Sequence, residues 1–321
     1  MAVFHKQIIG PECMSDQPLF SNSVKNELHS LRDYIRFAMS QFGEHRVYFG
    51  HGTDNAWDEA TQLVLAAVHL PWNINPAVLD GRLTEDEKER VLDFIKLRTL
   101  RRKPLPYITH ESWFCELPFF VDERVLIPRS PIAELIQSEF APWLREGSVD
   151  RILDLCTGSG CIGIACAYAF PEAEVDLADI SKGALDVANI NIEKHEMIDR
   201  VHTIESDLFS DLDGRKYDLI VSNPPYVDEA DLASMPDEYS HEPEIALGSG
   251  SDGLDITRRI LREASEYLTD DGLLVVEVGN SEVHLMETYP ELPLIWLEFE
   301  NGGNGVFTIT AQELRAYRDS I

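Results

Sequence analysis

The tetrapeptide Asn223-Pro224-Pro225-Tyr226 directly follows the apolar run Leu219–Val221. Such a run reads as a buried parallel strand, so the tetrapeptide falls where that strand hands the chain to a loop. Each proline fixes its own φ and pushes the residue before it into extended geometry. The Asn223 side-chain amide and the Pro224 carbonyl therefore form a rigid, preformed set of acceptors for a planar NH2 group, and Tyr226 can pack against its plane. In open α/β sheets ligands bind beyond the carboxyl ends of the strands. The motif points to methyl transfer onto an amino nitrogen and to the place where it occurs.

A second constellation lies upstream, in Asp154-Leu155-Cys156-Thr157-Gly158-Ser159-Gly160-Cys161-Ile162-Gly163. Gly158, Gly160 and Gly163 match GxGxxG, and Asp179, followed by Ile180, closes the next apolar run. A dinucleotide site has the same pattern, so the glycines alone do not choose between NAD and S-adenosylmethionine. Asp154 favours the latter. A carboxylate beside the glycine turn suits an ammonium, directly or through water, and is poorly suited to a pyrophosphate. The Thr157–Gly160 turn would then admit the methionine moiety, which leaves as part of S-adenosyl-L-homocysteine. Asp179 can hold both ribose hydroxyls. Ser206-Asp207-Leu208, beyond the third strand, is placed to meet the adenine, with Asp207 accepting from its exocyclic amine.

Transfer from a sulfonium is an in-line displacement, so positioning supplies much of the acceleration. A carboxamide nitrogen is a poor nucleophile because its lone pair is delocalised. Hydrogen bonds to Asn223 Oδ1 and the Pro224 carbonyl would orient it and stabilise the positive charge that develops. No strong base is required, since the nitrogen becomes acidic as it is alkylated. The same clamp would serve the planar NH2 of adenine.

From about residue 150 strand and helix patterns alternate, with strands expected at Arg151–Leu155, Glu174–Ala178, Val201–Ile204, Leu219–Val221 and Leu273–Val278. This predicts an α/β fold with a mainly parallel sheet covered on both faces. Leu294–Phe299 and Val306–Thr310 are joined by Asn301-Gly302-Gly303-Asn304-Gly305, a hairpin signal that makes the last strand antiparallel. Residues 128–321 form this domain. Ahead of it, residues 105–127 read as a linking β-hairpin, and residues 21–104 as a helical substrate-recognition domain. The expected helices are one through Val24, Leu28, Leu31, Ile35 and Phe42, one from Trp57 to Val68, and one opened by the capping box Thr84-Glu85-Asp86-Glu87. Residues 1–20, with Pro11 and Pro18 and no sustained period, read as a flexible extension.

The 321 residues carry 27 Lys and Arg against 57 Asp and Glu, a formal net charge of −30. Nucleic-acid binding draws most of its affinity from cations, so this charge weighs against a nucleic-acid substrate and favours a basic partner. Cys13, Cys115, Cys156, Cys161 and Cys166 form no CxxC pair, which predicts reduced core thiols and no metal site. No apolar stretch is long enough to span a membrane, and no secretion signal opens the chain, so a cytoplasmic protein is expected.

The segments DLCTGSGCIGIA and NPPY, together with FFVDERVLIPR, resemble the class I protein-glutamine N-methyltransferases over nearly the whole chain. The resemblance implies a seven-stranded Rossmann-like sheet and methylation of a glutamine side-chain amide in a release factor or a ribosomal protein. Two departures separate these branches. Release-factor enzymes usually read PRPxTE, where this chain has Pro128-Arg129-Ser130-Pro131-Ile132-Ala133-Glu134. Tyr48–Ala60 is similar to the branch acting on the third large-subunit ribosomal protein, as are His241-Glu242-Pro243-Glu244 and Ser249–Leu254, which would line the acceptor loop. The resemblance implies a basic ribosomal substrate, free or in a 50S assembly intermediate. A release factor and, further off, an adenine N6 acceptor stand as alternatives.

Overall fold

The computed structural model describes residues 22–145, 147, 149–212 and 214–321. The extension expected at residues 1–20, with Cys13, lies outside them. The described chain forms two compact units. Residues up to Val47 with Asn55–Arg101 make one, and Tyr48–Asp54 with Arg102–Ile321 make the other.

The first unit is helical, with α1 (Asn22–Glu27), α2 (Leu31–Glu44), α3 (Ala56–Ala67) and α4 (Glu85–Leu100). The single helix expected through Val24 and Phe42 is instead two. Ser30 restarts the chain, its hydroxyl capping Asp33 N while the Asp33 carboxylate takes the Ser30 N–H. Thr84 and Glu87 make the same reciprocal pair at the start of α4. Tyr34, Ile35, Leu63, Val64, Val91 and Ile95 are buried within this unit. Arg98 is also buried there and is ion-paired with Glu59.

In the second unit the strand pair expected over 105–127 is shorter than read. Leu105–Thr109 is a helix (α5), since Pro106 suits a first turn where its missing N–H costs nothing. Only Ser112–Phe114 (β1) and Leu117–Phe119 (β2) pair, antiparallel. After α6 (Ile132–Gln137) come β3 (Arg151–Leu155), α7 (Cys161–Ala169), β4 (Glu174–Asp179), α8 (Lys182–Lys194), β5 (Val201–Glu205) and β6 (Tyr217–Ser222). Then follow α9 (Glu229–Ser234), α10 (Asp255–Tyr267), β7 (Leu268–Glu277), α11 (Glu282–Thr288), β8 (Ile295–Trp296), β9 (Val306–Thr310) and α12 (Ala311–Ala316).

The sheet order is β5-β4-β3-β6-β7-β9-β8. Strands β5 to β7 pair in parallel, while β9 runs antiparallel to both β7 and β8. The seven-stranded α/β sheet with an antiparallel last strand is therefore as expected. Alternate residues fill two cores. Ile152, Val175, Leu219 and Val221 pack on the side of α6 and α7. Leu153, Ile220, Leu274 and Phe307 pack on the side of α10 and α12. Chain order reverses around β3, which lies between β4 and β6, so the loops leaving β3 and β6 emerge side by side.

Candidate active site

Leu155 and Ser222 are register partners at the ends of β3 and β6, and the Ser222 hydroxyl donates to the Leu155 carbonyl at 2.6 Å. The glycine loop leaves from the first of these residues and the Asn-Pro-Pro-Tyr turn from the second. A cavity of about 260 Å³ opens beside the glycine loop, and a second of about 470 Å³ lies on the far side of the turn. Asn223, Leu126, Arg129 and Ala246 line both. Asn223 Oδ1 is buried and has no hydrogen-bond partner among the described residues. A buried acceptor without a donor costs free energy, and here it stands at the junction of two cavities.

Thr157, Gly158 and Ser159 line the first cavity, whereas Gly160 caps α7 behind it. The helix can lie against the sheet only because Gly163 has no side chain. A Cβ there would stand 2.2 Å from Leu177 Cδ2 and 2.9 Å from Asp154 Cβ. Asp154 itself is fully buried beneath the loop and is not on the cavity wall. Its Oδ2 accepts from Thr157 Oγ1 at 2.5 Å and from Gly163 N at 2.8 Å, while Oδ1 has no partner among the described residues. Burial pushes this carboxyl up to about 7 against those two donors. Asp154 thus holds the loop from below, and of the two contacts expected with an ammonium, direct or through water, its place off the cavity wall suits the second.

Asp179 lines the cavity, with Oδ2 accepting from Gly158 N at 2.9 Å and Oδ1 from Ser181 N at 2.8 Å. Burial raises its pKa despite these donors. The backbone bonds leave further lone pairs on both oxygens, so two hydroxyls can still be received. Ile180 and Leu208 add apolar wall, and Asp207 stands half-exposed in an ion pair with Arg259 at 2.8 Å. Arg259 is a site residue the sequence reading missed. Its place on α10 offers no local signal linking it to residue 207.

The cavity also suits a cofactor without phosphate. Its three arginines are all engaged: Arg259 by Asp207, Arg124 by Asp122 at 2.6 Å, and Arg129 by Glu242 at 2.6 Å. A pyrophosphate would find carboxylates at the wall and those cations already paired. Among the described residues no group of three or more His, Cys, Asp or Glu could hold a metal ion.

Pro225 faces the first cavity, and Pro224 and Tyr226 face the second. The wall of the second cavity continues through Met235, Pro236, Tyr239 and Leu247. Tyr48 completes this wall, and its backbone N–H donates to Glu238 Oε1 at 2.9 Å. Nearby, Glu242 binds the Arg129 guanidinium through both oxygens, and its Oε1 also accepts from Ile127 N at 3.0 Å. His51 Nε2 stands 3.7 Å from Glu242 Oε2, and the His51 ring lies 4.6 Å from that of Tyr239. Burial favours the neutral form of Glu242, but His51 and the Arg129 guanidinium outweigh it and hold the carboxyl at about 2. Tyr48 and His51, from the segment noted at Tyr48–Ala60, and Glu242, from that noted at His241–Glu244, therefore belong to one side-chain network around Tyr239. From the segment Ser249–Leu254, Ser249 and Gly250 lie on a third cavity of about 450 Å³ with Val227 and Glu244, outside the lining of the other two.

The sheet, the glycine loop and the Asn-Pro-Pro-Tyr turn between two cavities define a methyltransferase. The family described as the methyltransferase small domain matches residues 138–236. A ribosomal protein uL3 glutamine methyltransferase from Francisella tularensis is 53% identical over 299 residues, covering 93% of this chain and 95% of that protein. One of the same name from Neisseria gonorrhoeae is 48% identical over 294 residues, covering 91% and 98%. The chain belongs to the ribosomal protein uL3 glutamine methyltransferase family.

Proposed function

We propose that this enzyme transfers a methyl group from S-adenosylmethionine to the side-chain amide nitrogen of a glutamine in ribosomal protein uL3. The observation that carries the chemistry is the buried, unpartnered Asn223 Oδ1 where the two cavities meet. The acceptor protein is inferred from the relatives' names. When bound, S-adenosylmethionine supplies an electrophilic methyl group.

Thr157, Gly158 and Ser159 cradle the methionine moiety in this reading, and Asp179 holds the ribose hydroxyls. Ile180 and Leu208 flank the adenine, and Asp207 takes its amine. The glutamine amide enters from the second cavity. Asn223 Oδ1 and the Pro224 carbonyl accept its two N–H hydrogens, turning the lone pair toward the donor. Pro225 keeps that turn rigid, and Tyr226 backs the amide plane. As the nitrogen is alkylated these oxygens stabilise its growing positive charge, and the proton is then lost to water.

Residues 21–104 we assign to recognition of the acceptor protein; of these, Tyr48–Asp54 belong to the unit that carries the chemistry above, and Tyr48 lines the second cavity. A net charge of −30 would draw a basic substrate. We place the reaction in the cytoplasm, on uL3 free or in a 50S assembly intermediate, without sequence-specific nucleic-acid contact. Among the described residues no helix is long and apolar enough to cross a membrane.

The test is methyl transfer from labelled S-adenosylmethionine into purified uL3, a peptide-chain release factor and DNA, each presented separately. Label in uL3 that maps to one glutamine by peptide mass spectrometry is expected. Label in the release factor alone, or in DNA, would replace the acceptor proposed here.

A further inference from the structure

Glu277 ends β7 and lines the acceptor cavity, yet the residue is only 3% exposed. Two hydroxyls hold it. Tyr226 Oη donates to Oε1 at 2.9 Å and Ser130 Oγ donates to Oε2 at 2.6 Å. Among the described residues no cation pairs with it. The charged group facing it is Arg129, which Glu242 already binds on both nitrogens. Its strand partner on β9, Val306, is buried and apolar. A buried carboxyl without a cation is costly, and packing alone would be better met by an apolar or amide side chain.

The surroundings of Tyr226 indicate what the carboxyl does. Its ring lies against Gly279, where a Cβ would come within 2.5 Å of Tyr226 Cε2 at a backbone φ of +47°. The Tyr226 carbonyl accepts from Ser281 Oγ at 2.8 Å. The segment Glu277–Ser281 thus grips Tyr226 at its hydroxyl, ring and carbonyl. Ser130, on the other oxygen of Glu277, lines the cofactor cavity. An ionised carboxylate can accept from both hydroxyls at once. A protonated acid or a glutamine amide must turn a donor toward one of them.

We infer that Glu277 is a positioning residue for the methyl transfer, acting through Tyr226 to fix the ring behind the acceptor amide and linking it through Ser130 to the cofactor wall. The inference rests on the reading of the acceptor cavity given above. Misplacement of a group that aligns reactants lowers turnover more than binding. The carboxyl is pushed up to about 7 by burial, against Ser130, Tyr226 and Arg129. The arrangement is therefore complete above that pH and incomplete below it.

The test uses the full chain with uL3 and labelled S-adenosylmethionine, comparing Glu277→Gln, Tyr226→Phe, Ser130→Ala and the Glu277→Gln/Tyr226→Phe double variant. Glu277→Gln should lower kcat by roughly tenfold or more, the scale of a hydrogen bond to a charged group. KM for uL3 and affinity for S-adenosylhomocysteine should stay within about threefold, and the melting temperature should hold or rise as the buried charge is removed. The double variant should be no slower than Tyr226→Phe, because coupled residues do not add. The wild-type kcat should rise with pH near neutrality, and that rise should vanish in Glu277→Gln and in Tyr226→Phe. Ser130→Ala should give a smaller loss in the same direction.

Additive losses in the double variant, or an unchanged pH profile in Glu277→Gln, would overturn the inference. So would wild-type kcat in Glu277→Gln while Asn223→Ala is inactive. If Asn223→Ala itself keeps full turnover, the acceptor-cavity reading fails first. A Glu277→Gln protein that has lost its melting transition shows a structural role instead, and Ser130→Ala at wild-type kcat would then reject the link to the cofactor wall.

Discussion

Arg129 and Glu242 lie 113 residues apart in sequence and meet in two parallel bonds of 2.6 Å. Glu242 is buried, and Arg129 reaches both cavities from the pair. The contact joins the loop ahead of α6 to the 236–248 segment that walls the acceptor side. A planar fork matched to a carboxylate fixes orientation as well as distance, which a lysine could not do.

Removing one partner leaves the other charge uncompensated, so Glu242→Ala should destabilise the protein by about 3–5 kcal/mol. Urea unfolding followed by tryptophan fluorescence would measure this, and a loss under about 1 kcal/mol would show that the pair bears little on stability. The pair also has a pH signature. The Glu242 carboxyl is held near 2 in the folded protein against an ordinary value of 4.5. Its contribution is therefore present above about 4.5 and lost as pH falls from there toward 2. Melting temperature should decline over that interval, and less steeply in Glu242→Gln.

Asn223→Ala removes the unpartnered acceptor and leaves the glycine loop intact. Turnover should fall by at least about a hundredfold, the scale seen when one oriented electrostatic group is removed. Affinity for S-adenosylhomocysteine, measured by calorimetry, should change only a few-fold. Loss of cofactor binding would mean that Asn223 serves the first cavity and not the clamp.

Asp179→Ala should do the opposite. The Gly158 and Ser181 N–H groups lose their acceptor and the ribose loses its own, so the dissociation constant for S-adenosylhomocysteine should rise by roughly tenfold or more. The kcat of the saturated enzyme should move much less. An unchanged dissociation constant would remove the ribose role from this residue.

The parts of the site legible in sequence are those whose chemistry is local. The two prolines stiffen the turn at Asn223, and the capping box at Thr84 marks the start of α4, each from neighbouring residues alone. The order of strand and helix patterns likewise carried the parallel sheet and its antiparallel end. What escaped depends on residues far apart in the chain. Arg259 meets Asp207 across 52 positions, and Glu277 meets Ser130 across 147. No periodicity announces either contact. Asp154 shows a different limit, since its neighbours in sequence identify a cofactor loop but not whether the carboxylate lies above or beneath it. Ser30 was missed because the apolar spacing of α1 and α2 runs on in phase through the break.

The pairing of Leu155 with Ser222 has a consequence for how such an enzyme can diversify. The two reacting loops leave neighbouring strands, so their separation derives from the interstrand spacing of a parallel sheet, about 4.8 Å. That spacing belongs to the backbone and is indifferent to most side chains. The 236–248 segment can consequently change its sequence while the gap between the glycine loop and the Asn-Pro-Pro-Tyr turn stays constant. The shape of the second cavity's wall and the distance across the site are inherited separately, one carried by an exchangeable loop and the other by the ladder of the sheet.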